Sequence, residues 1–324
     1  MTGKPVLKLA FSDMWSNFDP QKNFFVELLS GRFQVELTDK PDFLIYSCSA
    51  FGRRHLDYDC VRIFYTGENE RPDYLSCDFA FTFDFSDDPR HYRLPLYVLY
   101  YDLQDLVKPL NTASSLLQSK TRFCNFVYSN PRCIRRNRFF HKLSRYKQVD
   151  SGGRYMNNIG GPVKDKLSFL TQYKFTIAFE NQSRVGYTTE KIIEPMRAGS
   201  APIYWGNSAV NTEFNPRSFI NWHDYGSDEA VIERIIELDR DDKLYLEMAA
   251  QPWLHNNAVP TPYTTEKILD RFEEIFSSRI EPVAVRRREL KSYDRARTLL
   301  TRVLPWRSRM LAGRAMGKVV ELIS

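Results

Sequence analysis

Short apolar runs alternate with polar turns along the first hundred residues. Most of these runs have the length and the aromatic and β-branched content of strands, and they occupy residues 5–11, 33–38, 42–48, 61–67, 79–85 and 94–100. Residues 22–31 have helical spacing instead, and Gly31 ends that run. Strands that alternate with crossover segments predict an open, mostly parallel α/β sheet.

A second alternating set follows the polar segment 111–120. Strands are predicted at residues 122–129, 174–181 and 201–206. Helices are predicted at residues 130–146, at residues 164–173, in the stretch that follows Thr188 and Thr189, and at residues 227–238. Asn130 is the predicted cap of the first of these helices, and Thr188 or Thr189 caps the third. We therefore predict an α/β protein with two Rossmann-like domains, residues 1–115 and 116–280, that face a cleft, and a helical tail, residues 281–324.

Composition limits the class of protein. Hydrophobic residues make up 43% of the 324 residues and charged residues 27%, as in soluble globular proteins. The five cysteines are scattered without a C-x-x-C pair, which favours a reducing compartment over a disulfide framework or a zinc site. Lys8 and Asp13 interrupt the first apolar run, and no run of about 18 apolar residues exists, so we predict a cytoplasmic protein.

The positive charge is concentrated in the tail. The chain carries a net charge of +6, and residues 281–324 hold 11 Lys or Arg against 4 Asp or Glu. The main body has no basic surplus, so we predict no nucleic-acid partner. Leu299, Leu300, Val303 and Leu304 share one helical face of the tail. Such a basic amphipathic segment suits an anionic membrane surface at the inner face of the plasma membrane, or packs on its own domain.

One Glu-Lys pair stands at a predicted helix start in "VGYTTEKIIEPMRAGSAPIYWG". The free N–H groups of a helix start attract anions, and Lys191 adds a charge that suits a diphosphate. Glu190 is an acceptor for sugar hydroxyls, Gly186 permits close backbone approach, and Tyr187 can pack on a sugar or base. The alternative is an acid that serves only the helix dipole beside a solvated lysine.

Two further segments carry candidate chemistry. In "SNPRCIRRNRFF" four arginines crowd a predicted helix start, and at least one of them can bind phosphate oxygens, unless all four form a solvated face. In "FYTGENERPDY" a strand ends before Glu68 and Glu70, where a carboxylate can act as a general base, unless both belong to an exposed turn. The five histidines lack metal-binding spacing, and no Gly-rich phosphate loop follows a strand, so we predict no metal site.

These segments together resemble glycosyltransferase family 10, the α-1,3/α-1,4-fucosyltransferases. "FENQSRVGYTTEKIIEPMRAGSAPIYWG" is similar to the family signature, and "FYTGENERPDY", "SNP…RRN" and "SGGR" follow the family order over residues 60–275. The resemblance implies a GT-B architecture, in the form of the soluble bacterial members, with GDP-fucose as donor. It implies that Glu68 is the general base. It also implies a donor site that consists of Arg136, Gly153, Arg154, Asn181, Tyr187, Glu190 and Lys191.

The implied reaction is inverting transfer of L-fucose from GDP-β-L-fucose to a glycan that contains N-acetylglucosamine or glucose, with an α-1,3 or α-1,4 linkage. Fixed positive charge replaces a required metal in this interpretation, with room for stimulation by Mn²⁺ or Mg²⁺. The partners are then GDP-fucose and an oligosaccharide or lipid-linked acceptor. Two alternatives stay open: a related enzyme with another nucleotide sugar, and a glycoside hydrolase that uses Glu68 and Glu70 as its carboxylate pair.

Overall fold

The computed structural model describes residues 3–109 and 117–286. These residues form two compact units: one comprises residues 3–65, 72–80 and 273–286, and the other comprises residues 66–71, 81–109 and 117–272. These units are defined by contacts within the chain. They do not test the predicted domain bounds, which stay a prediction. The tail residues that suggested a membrane surface, Leu299 to Leu304, lie outside the described residues.

Strands and helices alternate from residue 91 to residue 205, whereas several strands precede this part of the chain and several helices follow it. The strands are β1 (Val6–Ser12), β2 (Gln34–Leu37), β3 (Phe43–Tyr46), β4 (Val61–Tyr65), β5 (Phe79–Thr82), β6 (His91–Arg93), β7 (Arg122–Phe126), β8 (Val149–Ser151), β9 (Tyr173–Phe179), β10 (Ala201–Trp205) and β11 (Ile220–Asn221). The helices are α1 (Phe24–Leu29), α2 (Leu96–Tyr100), α3 (Ile134–Leu143), α4 (Lys166–Thr171), α5 (Glu190–Arg197), α6 (Trp222–Tyr225), α7 (Asp228–Arg240), α8 (Asp242–Ala249), α9 (Thr265–Ser277) and α10 (Val283–Arg286).

Two sheets carry these elements. The first has the strand order β2-β1-β3-β4-β5-β6, and the pairs among β1 to β4 are parallel. The second, in the larger unit, has the order β11-β10-β9-β7-β8 and is parallel throughout. The prediction of an α/β protein with two open, mostly parallel sheets is therefore confirmed.

The second sheet is buried on both faces, as parallel sheets are. Its central strand β9 has the sequence YKFTIAF, and six of its seven residues are buried. Helix α3 covers one face with Phe139 and Phe140, which pack with Phe126 and Phe179 of the sheet. Continuous burial explains why β9 is mostly apolar rather than alternating, with Lys174 and Thr176 as its charged and polar residues.

The apolar segment 94–100 is a helix, so the prediction of a strand there is wrong. Pro95, with φ −60°, precedes helix α2, and the strand of this region is the shorter β6. The tyrosine hydroxyls of this region reach distant partners: Tyr97 donates to Glu213 over 2.8 Å, and Tyr101 donates to Glu194 over 3.1 Å. These tertiary contacts outweigh the strand preference of an apolar, aromatic run.

Two predicted helix caps also differ from the structure. Helix α3 begins after Cys133, because the Asn130 side chain accepts a hydrogen bond from the Arg132 amide in a local turn instead of capping the helix. Helix α5 does begin after Thr189, but the Thr189 hydroxyl donates to a buried carboxylate and caps no helical N–H. Pro195 lies within α5, which ends two residues later at Arg197.

A glycine is required at the approach to α5. Gly186 has φ +82°, and a Cβ atom there would lie 2.5 Å from the carbonyl oxygen of Phe83. Its amide donates to the Asn207 side chain over 2.7 Å, so the backbone cannot move aside without losing that bond. The close approach predicted for Gly186 is thus an approach to another part of the same chain.

We expect Gly186→Ala to destabilise the protein by about 1–2 kcal/mol more than Gly160→Ala, measured by urea unfolding. Gly160 is the matched control, since its φ is +87° and a Cβ atom added there would meet no other atom within 4 Å. Both variants place an alanine at a similar positive φ, but only Gly186→Ala also adds a collision with the Phe83 carbonyl oxygen. Equal losses in the two variants would contradict this account.

Candidate active site

A fully buried carboxylate organises the start of helix α5. Glu180 follows β9 directly, and its amide donates to the Trp205 carbonyl over 2.7 Å. Its side chain accepts hydrogen bonds from the Thr189 amide over 2.8 Å and from the Thr189 hydroxyl over 2.8–2.9 Å. Gly206 makes room for it, because a Cβ atom at that position would lie 2.4 Å from the Glu180 Cγ atom.

Lys191 lies between two carboxylates. Its Nζ atom is 3.2 Å from Glu180 and 3.0 Å from Glu190. Burial alone lowers the pKa of Lys191, but the two carboxylates outweigh it and raise that pKa well above its usual value. Burial raises the pKa of Glu190, and Lys191 more than reverses this, so the Glu190 pKa is lowered. The site therefore holds Lys191 as a cation and Glu190 as an anion at neutral pH.

A second buried carboxylate supports the loop before α5. Glu213 accepts hydrogen bonds from the Thr188 hydroxyl over 2.8 Å and from the Asn207 amide group over 2.6 Å. It also pairs with Arg93 at 2.9 Å, and Tyr97 of α2 donates to its other oxygen. This network joins α2 to the Gly186–Thr189 loop, because Glu213 contacts both.

A cavity of about 450 Å³ opens at this helix start, within the larger unit. Five predicted site residues line it: Glu68, Asn181, Tyr187, Glu190 and Lys191. The other lining residues are Gly67, Leu96, Tyr100, Tyr101 and Thr189. The structure thus brings the predicted base, Glu68, into one cavity with Glu190, the predicted acceptor for sugar hydroxyls, and Lys191, the predicted diphosphate-binding cation.

Glu68 lies in the turn that follows β4. Its amide donates to the Thr66 hydroxyl over 2.9 Å, which holds the backbone of this turn. The next residue, Asn69, bonds to Gln182 and to Arg184 in the loop after β9. The Glu68 side chain is exposed and lines the cavity. Burial raises the pKa of the Tyr100 and Tyr187 phenols, and nearby carboxylates, Glu68 among them, raise it further.

Arg136 does not line the cavity. Its guanidinium is fully buried, stacks on Tyr128 at 3.8 Å, and donates to the carbonyls of Phe179 and Asn130. It also donates to the Asn181 side-chain oxygen over 3.1 Å. Arg136 therefore touches the cavity through Asn181, whose amide nitrogen is left to donate to a ligand.

The "SGGR" residues lie further from the cavity lining. Gly153 is buried, and a Cβ atom there would lie 1.9 Å from the Tyr128 carbonyl oxygen, so only glycine fits. Arg154 is exposed. Their assignment to the donor site stays a prediction, as do the roles of the residues in the cavity.

Sequence reasoning missed three contributors to this site. Glu180 carries the same signal that pointed to Glu68, a carboxylate at the carboxyl end of a strand, and could have been found. Tyr100 and Tyr101 were not recognised as site residues, because Tyr100 ends and Tyr101 directly follows a segment that was predicted as a strand. Among the described residues, no group of three or more His, Cys, Asp or Glu side chains could hold a metal ion, and all five cysteines are buried free thiols.

Comparison with known proteins now defines the class. Residues 9–100 match the model of the alpha-(1,3)-fucosyltransferase FucT N-terminal domain, and residues 117–267 match that of the glycosyltransferase family 10 (fucosyltransferase) C-terminal region. Fold and sequence together define a glycosyltransferase of GT-B architecture. The chain belongs to glycosyltransferase family 10, the fucosyltransferases, as its resemblance implied.

Several relatives support this membership. The alpha-(1,3)-fucosyltransferase FucT of Helicobacter pylori is 34% identical over 75% of this chain, and the match spans 59% of that relative's length. The human GDP-fucose protein O-fucosyltransferase 3 is 32% identical over 52% of this chain and 38% of its own length. The chain therefore spans less than two thirds of the length of these relatives.

Solved structures agree. An alpha1,3-fucosyltransferase with GDP has a TM-score of 0.73 and 29% identity, over 86% of this chain and 92% of that one. An alpha1,3-fucosyltransferase with GDP-fucose has a TM-score of 0.72 and 28% identity, over 87% of this chain and 94% of that one.

Within residues 3–109 and 117–286, the chain forms no helix with the length and apolar character needed to cross a membrane.

Burial raises the pKa of the Glu180 carboxyl, and Lys191 opposes that rise. We expect Lys191→Met to leave this carboxyl buried without its cation, which raises the Glu180 pKa further. When the pKa of a carboxyl is higher in the folded protein than in the unfolded protein, the folded state becomes less stable as the pH rises above the unfolded pKa. The deficit of the variant relative to the wild type should therefore grow between pH 5 and pH 7.5, to about 2–4 kcal/mol in urea unfolding.

The double variant Lys191→Met/Glu180→Gln is the control, since it has no buried charge left to neutralise. It should recover most of the loss at pH 7.5. A deficit that is the same at both pH values, or that persists in the double variant, would show that Glu180 does not depend on Lys191.

Proposed function

We propose that this protein transfers L-fucose from GDP-β-L-fucose, with inversion, to a hydroxyl of a glycan that contains N-acetylglucosamine or glucose. The product linkage is α-1,3 or α-1,4. The observation that carries the proposal is the cavity in which Glu68 meets Glu190 and Lys191 at the start of α5, in a chain of family 10. The similarity to structures described with GDP and GDP-fucose supports the choice of donor.

Lys191 and the start of α5 receive the leaving diphosphate. Negative charge grows on GDP as the bond between fucose C1 and the phosphate oxygen breaks. A helix dipole contributes only about 0.3–1 kcal/mol to such a charge, so a cationic side chain must contribute most of the stabilisation. Lys191 is that cation, because its side chain is only 12% exposed and lines the cavity in low-dielectric surroundings. Fixed charge of this kind removes the need for a metal.

Arg136 supports the diphosphate through Asn181. The guanidinium fixes the Asn181 side-chain oxygen and so orients the amide N–H groups toward the cavity. Its own positive charge is buried beside this contact and adds to the favourable potential at the diphosphate. The direct contact that the resemblance implies requires the buried guanidinium to become accessible to the ligand, because its Nε–H group has no hydrogen-bond partner but is buried.

Glu68 is the general base. The acceptor oxygen attacks C1 of fucose on the face opposite GDP, and its proton passes to the Glu68 carboxylate as the new bond forms. Back-side attack converts the β-linked donor to an α-linked product. Glu68 suits this role because it lies in the same cavity as Glu190 and Lys191, while its turn is held by Thr66.

We propose residues 1–115 as the acceptor domain and residues 116–280 as the GDP-fucose domain. The bounds of the two family models, 9–100 and 117–267, support this division. Residues 66–71 and 81–109 nevertheless pack with the larger unit, so the acceptor domain supplies Glu68 to the donor cavity through its own loops.

The experiment that tests the function is turnover of GDP-fucose against a panel of acceptor disaccharides that end in N-acetylglucosamine or glucose. Release of GDP is measured, and the product linkage is assigned by NMR. GDP-mannose and UDP-galactose serve as control donors, and p-nitrophenyl fucoside tests for hydrolase activity. Turnover with a control donor alone, or fucoside hydrolysis without transfer, would reject the proposal.

We expect Glu68→Gln to keep its affinity for GDP-fucose and to lose transfer by about 10²–10⁴-fold, because a positioned base contributes this much. Glu70→Gln is the matched control, since Glu70 lies in the same loop and is not among the cavity-lining residues. It should turn over like the wild type. The opposite result, an active Glu68→Gln and an inactive Glu70→Gln, would reassign the base.

We expect Arg136→Met and Asn181→Ala to weaken GDP binding non-additively, because Arg136 acts through Asn181. The double variant should bind GDP about as weakly as Asn181→Ala alone, within roughly 0.5 kcal/mol, as measured by calorimetry. Additive losses would instead indicate a direct contact between Arg136 and the diphosphate. Thermal melts of all three variants separate the loss of binding from the loss of folding.

We also propose that the basic tail docks the enzyme on an anionic membrane surface at the cytoplasmic side, where a lipid-linked acceptor would lie. The proposal rests on the charge and the apolar stripe of residues 281–324. Deleting residues 287–324 should move the protein from the membrane fraction to the soluble fraction. An unchanged distribution would favour a tail that packs on its own domain.

A further inference from the structure

Three oxygen atoms lie within 3.2 Å of the Lys191 ammonium nitrogen. Lys191 donates hydrogen bonds to the Thr189 hydroxyl over 2.9 Å and to Glu190 Oε1 over 3.0 Å, and it forms an ion pair with the buried Glu180 Oε2 at 3.2 Å. A diphosphate oxygen that binds Lys191 therefore competes with these oxygens for the same cation.

The three oxygens are not equally replaceable. Glu180 is completely buried, and the Thr189 amide and hydroxyl hold its carboxylate. Thr189 is itself only 2% exposed. The Glu190 side chain is 31% exposed, and Glu190 lines the cavity. Glu190 is thus the partner that can turn to solvent or to a ligand, while Glu180 cannot be left without Lys191.

We propose that Glu190 and the donor diphosphate exchange places on Lys191. In the empty site Glu190 holds the ammonium, and an arriving diphosphate takes over that hydrogen bond. The displaced Glu190 carboxylate then accepts hydroxyl hydrogen bonds from the ribose or the fucose of the same ligand. Glu180 and Thr189 keep Lys191 in place throughout. This inference rests on the proposed function, since it assigns an order of events to that donor site.

The exchange requires side-chain rotation but no movement of the helix. One turn further along α5, Glu194 is held by Lys166 of α4 and by Tyr101 near α2. Arg197, at the end of α5, pairs with Asp105 at 2.7 Å. These contacts hold the helix at two positions, so we expect the Glu190 side chain to rotate while the helix stays in place.

The exchange couples recognition of the diphosphate to recognition of the sugar. A phosphate without sugar hydroxyls displaces Glu190 but offers its carboxylate no new hydrogen-bond donor. A complete nucleotide sugar displaces Glu190 and supplies it with new donors. The site therefore discriminates against free inorganic phosphates, because the Glu190–Lys191 ion pair must be broken without compensation.

The test compares two probes, inorganic pyrophosphate and GDP-fucose, by calorimetry on the full chain. We expect Glu190→Gln to bind pyrophosphate about three- to tenfold more tightly than the wild type, since no ion pair has to be broken. The same variant should bind GDP-fucose more weakly, because it has lost the carboxylate acceptor. Opposite signs for the two probes are the signature of exchange.

Two further variants separate contact from charge. Glu190→Asp keeps the negative charge, but its side chain is one methylene too short to reach Lys191, so it should also bind pyrophosphate more tightly. Glu194→Gln removes the same charge from the same helix without touching Lys191, and it should change neither affinity by more than about twofold. If Glu190→Asp binds pyrophosphate like the wild type, simple charge repulsion explains the effect and the exchange is rejected.

Failure of the exchange and failure of the proposed function give different results. A wild-type protein that binds neither GDP nor GDP-fucose rejects the function itself. A wild-type protein that binds both, with Glu190→Gln no tighter for pyrophosphate, rejects only the exchange. A crystal structure with GDP gives the direct measurement: Lys191 should remain within hydrogen-bonding distance of Glu180 and lie beyond it from Glu190.

Discussion

The candidate site depends on one buried ion pair, Glu180 with Lys191. A carboxylate without access to water is tolerated in a protein only when it is paired or hydrogen-bonded, and Glu180 is both. Because it follows β9 and binds Thr189, this one side chain ties the end of the central strand to the start of α5. The same pair keeps the Lys191 ammonium charged and in place beside the cavity.

A second constraint holds the walls of the cavity. Glu213, nearly buried, gathers donors from β6, α2 and the loop before α5. Gly186 completes this loop, since its positive φ and its closeness to the Phe83 carbonyl exclude any side chain. Groups that must receive charge are most effective when they are held before the ligand arrives. Two buried carboxylates achieve this here, each by fixing backbone as well as side chains.

The relatives separate donor from acceptor. One relative is named as an alpha-(1,3)-fucosyltransferase and another as a GDP-fucose protein O-fucosyltransferase, so both names contain fucose and only the second names a class of acceptor. Both match this chain at over 30% identity, and the human relative does so over about half of it.

The sequence by itself determined the α/β class, two mostly parallel sheets and the helix start at Glu190, and these features follow from local periodicity. The five predicted residues of the cavity come from two separate segments that resemble the family. Only the tertiary structure decided that residues 96–100 form a helix, that Asn130 caps no helix, and that Arg136 reaches the cavity through Asn181. The hydroxyl of Tyr97, the carboxylate of Glu213 and the guanidinium of Arg136 each find partners more than forty residues away. Such pairings depend on how strands and loops assemble. They therefore cannot be predicted from the residues that are adjacent in the sequence.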